Sequence, residues 1–171
     1  MLSFYLQILD SEEERSRFAK LYLLHRDLML RVARKLLPNE MDAEDAVHQA
    51  FLSILNHFSK VHEIDCPETR AYVVIITERK ALDLLRSRKR LADVDPEELE
   101  AAPLPPPGDE GLADAMSCLP RRYREALLLH YRHGYNTAEL AALWGMKRDS
   151  ARKLLWRAKQ ALKEHMENAD E

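Results

Sequence analysis

Phe18, Leu21, Tyr22, Leu28, Met29, Val32, Leu36 and Leu37 recur at three- and four-residue steps, the period of a helix that buries one face. The pattern predicts one amphipathic helix, or two nearly continuous ones, ending at Pro38. Ser11 with Glu14 fits a capping box at its start. A second apolar series, Ala46, Val47, Ala50, Phe51, Ile54, Leu55 and Phe58, predicts the next helix. Asp42 is expected as its N-cap, with Glu44 and Asp45 in the first turn, where carboxylates favour the positive helix end. After a loop from Lys60 to Arg70, a third helix is predicted from about Glu68 to Arg90, with Ala71, Val74, Ile75, Ala81, Leu82 and Leu85 inside. Pro67 makes Cys66 extended.

The clearest pattern comes late. Asn136 or Thr137 reads as an N-cap, and Leu140, Ala141 and Trp144 follow on one face. Gly145 stands where that helix stops, because glycine takes the left-handed conformation cheaply. Another helix starts near Asp149 or Ser150, with Ala151, Leu154, Leu155, Ala158 and Leu162 as its inner stripe. Its outer face carries Arg148, Arg152, Lys153, Arg157 and Lys159. A short helix, a glycine turn and a helix with a basic face form a helix-turn-helix pattern, whose second helix enters the major groove. The bland alternative is a surface hairpin with solvated cations. Upstream, Leu119 to Tyr131 predicts a helix with proline at its first turn.

Composition sharpens this reading. Four glycines among 171 residues, with many Leu, Ala, Arg and Glu, favour an all-α chain. Net charge is −3, which by itself argues against a polyanion as partner. The distribution reverses that. Arg121 to Glu164 holds 11 basic and 4 acidic residues, whereas Asp93 to Leu119 holds 8 acids and no base. Arg79 to Arg90 holds six basic residues and one acid, more than a helix C-terminus needs for its dipole. Local basic faces are what a phosphate backbone responds to. Asp93 to Glu110 holds five prolines and seven acids; such a segment cannot bury a core and reads as an extended linker. The expected organisation is therefore two small helical domains, 1–92 and 112–171, joined by a flexible acidic linker, 93–111.

Catalytic and metal chemistry finds little support. No glycine-rich phosphate loop, H-E-x-x-H or G-x-S-x-G occurs. His130 and His133 lie three apart, but no Cys, Asp or Glu nearby completes a metal set. Trp144 and Trp156 at helical spacing are more often core than stacking platforms; Trp156 suits either. Cys66 and Cys118 form no metal-spaced motif, which suits a reduced, cytoplasmic setting. The N-terminus lacks a basic n-region and a cleavage site, so no signal peptide is expected.

Four segments, in order, resemble the extracytoplasmic-function sigma factors of bacterial RNA polymerase. D-A-E-D-A-V-H-Q-A-F-L-S-I-L at Asp42 to Leu55 is similar to the family's core-binding helix. T-R-A-Y-V-V-I-I-T-E-R-K-A-L-D-L-L-R-S-R-K-R at Thr69 to Arg90 is similar to its promoter-melting helix. L-P-R-R-Y-R-E-A-L-L-L-H-Y at Leu119 to Tyr131 resembles the opening of its fourth region, and the helix-turn-helix resembles its minus-thirty-five reader. The resemblance implies a region 2 bundle of three to four helices and a region 4 helix-turn-helix domain. It implies that Asp42, Glu44, Asp45, His48, Gln49, Phe51 and Leu52 meet the β′ clamp helices of core RNA polymerase. It implies minus-ten contacts by Arg70, Tyr72, Arg79, Lys80, Arg86, Arg88, Lys89 and Arg90, with the 61–70 loop and third helix holding a flipped base. It implies that Lys147, Arg148, Ser150, Arg152, Lys153, Trp156 and Arg157 read the minus-thirty-five element while this domain rests on the β flap. The linker would thread toward the RNA path, its carboxylates standing in for RNA phosphates. No cofactor or small-molecule substrate is called for, and an anti-sigma factor is a further partner the resemblance admits. The work is recognition of promoter DNA, not catalysis.

The chain departs from the family at Tyr72, where Trp is usual, and at Glu78-Arg79, where R-N is usual. His48 replaces a more usual Gln or Glu, and Lys147-Arg148-Asp149 replaces a common S-E-G. The competing class is a stand-alone helix-turn-helix regulator with a helical sensing or dimerisation domain. The Arg79–Arg90 run speaks against it, because such a domain has no use for a second basic helix. A scaffold that binds only proteins leaves the basic recognition face unexplained.

Overall fold

The computed structural model describes residues 1–89 and 110–169, and every described element is helical. The chain divides into two units, Met1–Pro103 and Leu104–Glu171. In the first, α1 (Leu2–Ile8) packs on α2 (Glu12–Leu36), and α2, α3 (Glu40–Asn56) and α4 (Pro67–Lys89) pack on one another. In the second, α8 (Arg148–Ala169) is the common partner of α5 (Glu110–Ser117), α6 (Arg121–Leu127) and α7 (Thr137–Trp144). Residues 93–109 of the expected linker, together with Arg90, lie outside the described residues; Glu110 and Gly111 open α5.

The cap of α2 is Ser11, as the sequence predicts, through one of the two bonds of a capping box. The Ser11 hydroxyl accepts from the Glu14 N–H at 3.1 Å, filling one of the donors a helix start leaves open. The start of α3 differs. Its cap is Asn39, whose side-chain oxygen accepts from the Met41 N–H at 2.9 Å. Asp42 therefore sits inside the first turn, buried, and is free to pair elsewhere. Arg34 near the end of α2 grips the Glu40 carboxylate with Nε and Nη2, joining two helices across a three-residue connection.

The core of the first unit is aromatic at one end and aliphatic along α4. Tyr5, Phe18, Tyr22, Phe51 and Phe58 pack at ring-centroid distances of 4.9–6.0 Å. α4 is buried at every position from Ala71 to Arg79. The stretch Ala71-Tyr72-Val73-Val74-Ile75-Ile76 has no polar face, and a helix apolar all round is enclosed rather than laid on a surface.

In the second unit, one π-helical turn, Leu128–Arg132, follows α6. The His133 N–H returns to the Leu128 carbonyl at 3.3 Å and the Tyr135 N–H to Leu129 at 2.9 Å. Gly134, at φ +66°, lets the chain leave that turn in the left-handed region.

Candidate nucleic-acid and partner interfaces

The helix-turn-helix is built by two local devices. At the start of α7 the Asn136 side chain accepts from the Glu139 N–H at 2.9 Å, and Glu139 Oε2 accepts from the Asn136 N–H at 2.8 Å. This reciprocal cap fixes where the helix begins. At its end Gly145 takes φ +62°, and the Met146 N–H bonds the Ala141 carbonyl at 3.0 Å, which turns the chain into α8. Leu140, Ala141, Trp144, Ala151, Leu155 and Ala158 are buried between these helices and their neighbours. Leu154 and Leu162 are half-buried.

The opposite face of α8 is open. Lys147, Arg148, Ser150, Arg152, Lys153, Trp156, Arg157 and Lys159 are all exposed. Trp156 is 61% exposed, so it belongs to this face and not to the core. Arg152 lies 3.4 Å from Asp149, with both side chains in solvent, a pair too wet to hold the arginine against a better partner. Exposed cations around a large aromatic surface can neutralise phosphates and approach base edges.

α6 and the π turn brace this face. Arg121 pairs with the buried Glu125 at 3.1 Å, and the Arg122 guanidinium lies 5.2 Å from the ring centre of Trp144. Burial, followed by repulsion from Arg121, lowers the Arg124 pKa. His130 donates from Nδ1 to the Tyr135 carbonyl at 2.7 Å, because a carbonyl can only accept. Lys159 sits 5.7 Å from the Tyr131 ring centre, tying the π turn to α8. Among the described residues no group of three His, Cys, Asp or Glu side chains could hold a metal.

On α3, Glu44, Asp45, His48, Gln49 and Leu52 lie on one strip, exposed or half-buried, at steps of three and four. Gln49 donates to Asp45 Oδ2 at 3.3 Å. Two residues expected with them are placed elsewhere. Phe51 is 1% exposed and stacks in the aromatic core, one helical step round from the strip. Asp42 is buried at the α3–α4 contact, its Oδ1 lying 2.6 Å from Arg88 Nη2. It is neither cap nor surface acid.

α4 divides its expected contacts likewise. Arg70 and Arg88 are exposed, and Lys80 and Arg86 are half-buried. Tyr72 and Arg79 are buried, at 0% and 5% exposure, because this part of α4 is enclosed on all sides; neither side chain presents to a nucleic acid in this conformation. The Lys89 side chain and Arg90 lie outside the described residues. The loop before α4 is pinned from α2. Arg17 donates to the Val61 and His62 carbonyls, and buried His25 donates from Nε2 to the Ile64 carbonyl at 3.1 Å. Burial lowers the His25 pKa, with the Ile64 bond opposing. Val61 and Ile64 face inward, leaving His62, Glu63 and Asp65 outside.

Sequence comparison aligns with both units. The sigma-70 region 2 family model matches residues 21–91, and the sigma-70 region 4 model matches residues 109–162. The ECF RNA polymerase sigma factor SigE of Mycolicibacterium smegmatis is 27% identical over 153 residues, covering 83% of this chain and 58% of its own length. RNA polymerase sigma factor SigV of Bacillus subtilis is 27% identical over 150 residues, covering 85% of this chain and 89% of its own. A solved structure of CnrH in complex with the cytosolic domain of CnrY is 21% identical and covers 99% of this chain and 96% of that one, at a TM-score of 0.40, a superposition too loose to bear weight.

Proposed function

We infer the work of this protein from one premise: the chain belongs to the sigma-70 family of RNA polymerase sigma factors, in its extracytoplasmic-function class. It binds core RNA polymerase and directs initiation at specific promoters. Its chemistry is recognition of DNA and protein, with no bond made or broken by its own side chains. It works in the cytoplasm, where the polymerase is; among the described residues no helix is long and apolar enough to cross a membrane.

The observation that carries this reading is the open basic face of α8 behind a capped helix and a left-handed glycine turn. Arg148, Arg152 and Lys153 at the start of α8 enter the major groove over the minus-thirty-five element, and Arg157 and Lys159 further along hold the phosphate backbone. The strip Glu44, Asp45, His48, Gln49 and Leu52 on α3 docks on the β′ clamp helices, where acids with an apolar neighbour suit a cationic, partly apolar helical partner. Arg70, Lys80, Arg86 and Arg88 track the displaced strand at the minus-ten element. An anti-sigma factor would compete for these same surfaces. The deciding experiment is in vitro transcription with purified core polymerase over a library of promoter fragments. Specific start sites that appear only when the protein is added are expected. DNA binding that is as strong without core, and no core-dependent initiation, would favour a stand-alone regulator.

A further inference from the structure

We propose that α1 belongs to the surface that receives core RNA polymerase, extending the acidic strip of α3 with an apolar edge; the proposal rests on the sigma-factor reading above. α1 is seven residues long and has no side-chain cap, and a helix that short does not persist in water on its own. It is held instead by Tyr5. The Tyr5 ring is 1% exposed and packs against Phe18, Tyr22 and Phe51 at 5.5–5.9 Å. Its hydroxyl shares a hydrogen bond with His48 Nδ1 at 2.6 Å. Burial, with Tyr22 nearby, pushes that phenol up to about 12, so the hydroxyl keeps its proton.

That anchor fixes what the other side of α1 presents. Phe4 and Ile8 are one turn apart and 50% and 48% exposed. The Phe4 ring centre lies 6.0 Å from that of His48, and His48 stands on the strip with Asp45, Gln49 and Leu52. The apolar edge of α1 is therefore continuous with the docking strip through a direct ring contact. Protein interfaces place aromatic and aliphatic anchors at the centre and charges at the rim. Phe4 and Ile8 add to Leu52 the anchors that the strip is short of, since its own phenylalanine, Phe51, is buried in the core. The complementary partner is a helix with an apolar stripe flanked by cations, which meets Phe4 and Ile8 with the stripe and Glu44 and Asp45 with the cations. The region 2 match begins at residue 21, so α1 lies outside the matched segment.

The test is assembly of the full-length chain with core polymerase in competition with the unlabelled wild type. Phe4→Glu with Ile8→Glu changes only half-exposed positions and is expected to weaken assembly about tenfold, with helical content and melting temperature unchanged. Glu44→Lys with Asp45→Lys is the reference for the strip. If the reference pair loses affinity and the α1 pair does not, α1 is no part of the interface, and the docking reading stands without it. If neither pair matters, that reading falls as well. A photo-crosslinking residue at Ile8 gives an answer that does not depend on the stability of the double variant. Crosslinking to the β′ subunit in the assembled holoenzyme is expected, and no crosslink, or one confined to another subunit, overturns the proposal.

Discussion

α4 and α8 carry the same kind of sequence signal, an apolar series followed or flanked by a run of cations, yet they use it differently. α8 is two-sided. Ala151, Leu155 and Ala158 are buried while Arg148, Arg152, Lys153 and Arg157 face solvent, so its face can be drawn from sequence with a helical period alone. α4 is enclosed from Ala71 to Arg79, and its cations meet three fates. Arg79 is taken into the core, Arg88 is tied to a buried carboxylate, and Arg70 stays in solvent. A basic residue on a two-sided helix is available to a ligand by default. On an enclosed helix it serves the fold first.

Substitutions in the two helices should separate along that line. The largest effect is expected from Ile75→Ala in α4, whose side chain is fully buried. Removing it leaves a cavity and costs about 2–5 kcal/mol, roughly 10 °C or more in the melting of a unit this size. Trp156→Ala, a larger truncation in α8, should leave the melting temperature nearly unchanged because that ring is 61% exposed. Thermal unfolding followed by circular dichroism decides; equal losses would mean that α8 is as enclosed as α4.

Next comes the Asp42–Arg88 pair. Arg88→Ala strands a carboxylate whose side chain is 9% exposed, whereas the arginine is 57% exposed and can return to water. The loss should be about 1 kcal/mol, since the pair is partly solvated. Asp42→Asn, which keeps an acceptor, should cost less, and a double-mutant cycle should show coupling. If Arg88→Ala lowers transcription without touching stability, Arg88 serves DNA alone and the contrast with α8 weakens.

Smaller still is the effect of pH through His25. Its pKa is lowered by burial from the ordinary 6.5, so the unfolded chain takes up a proton that the folded chain resists. This contribution to stability is complete above about pH 6.5 and is lost as pH falls below it. His25→Gln, which retains an N–H for the Ile64 carbonyl, should flatten that part of the profile for the first unit. An unchanged profile would mean that the loop is not held through a neutral imidazole.

What was legible in the sequence was local. Ser11 and Asn136 as caps and Gly145 as the left-handed stop are decided by residues within one turn, and the alternation along α8 is decided by its own period. What was not legible needed distant partners. Asp42 looked like a cap because short oxygen-bearing residues cap helices, but Asn39, three residues earlier, takes that place, and the partner of Asp42 lies 46 positions away. Tyr72, Arg79 and Phe51 stand at positions where the resemblance implies contacts, yet burial depends on how many helices surround a position, which a single period does not state. α1 was missed because seven residues give too short a series to show one. The apolar run Ala71 to Ile76, with no polar face, was the signal that α4 is enclosed.

The smallest expected effect on the fold belongs to Arg152→Ala in α8, and its value lies in what it changes instead. The side chain is exposed and its ion pair with Asp149 is an exposed contact across one turn, worth about 0.3–0.5 kcal/mol of stability. If α8 lies in the major groove, the arginine can bond a guanine edge with two N–H groups, and losing such a pair removes roughly 1–3 kcal/mol of discrimination at that base. Transcription from promoters with single-base changes in the upstream element should therefore show relaxed preference at one or two positions for Arg152→Ala or Arg148→Ala. Lys159→Ala, further along the helix, should lower activity evenly or not at all, since a phosphate contact carries no sequence information. A proportional loss on every promoter for the arginine variants would make them backbone contacts. No loss on any promoter would remove α8 from the groove, and the open face that distinguishes it from α4 would need another ligand.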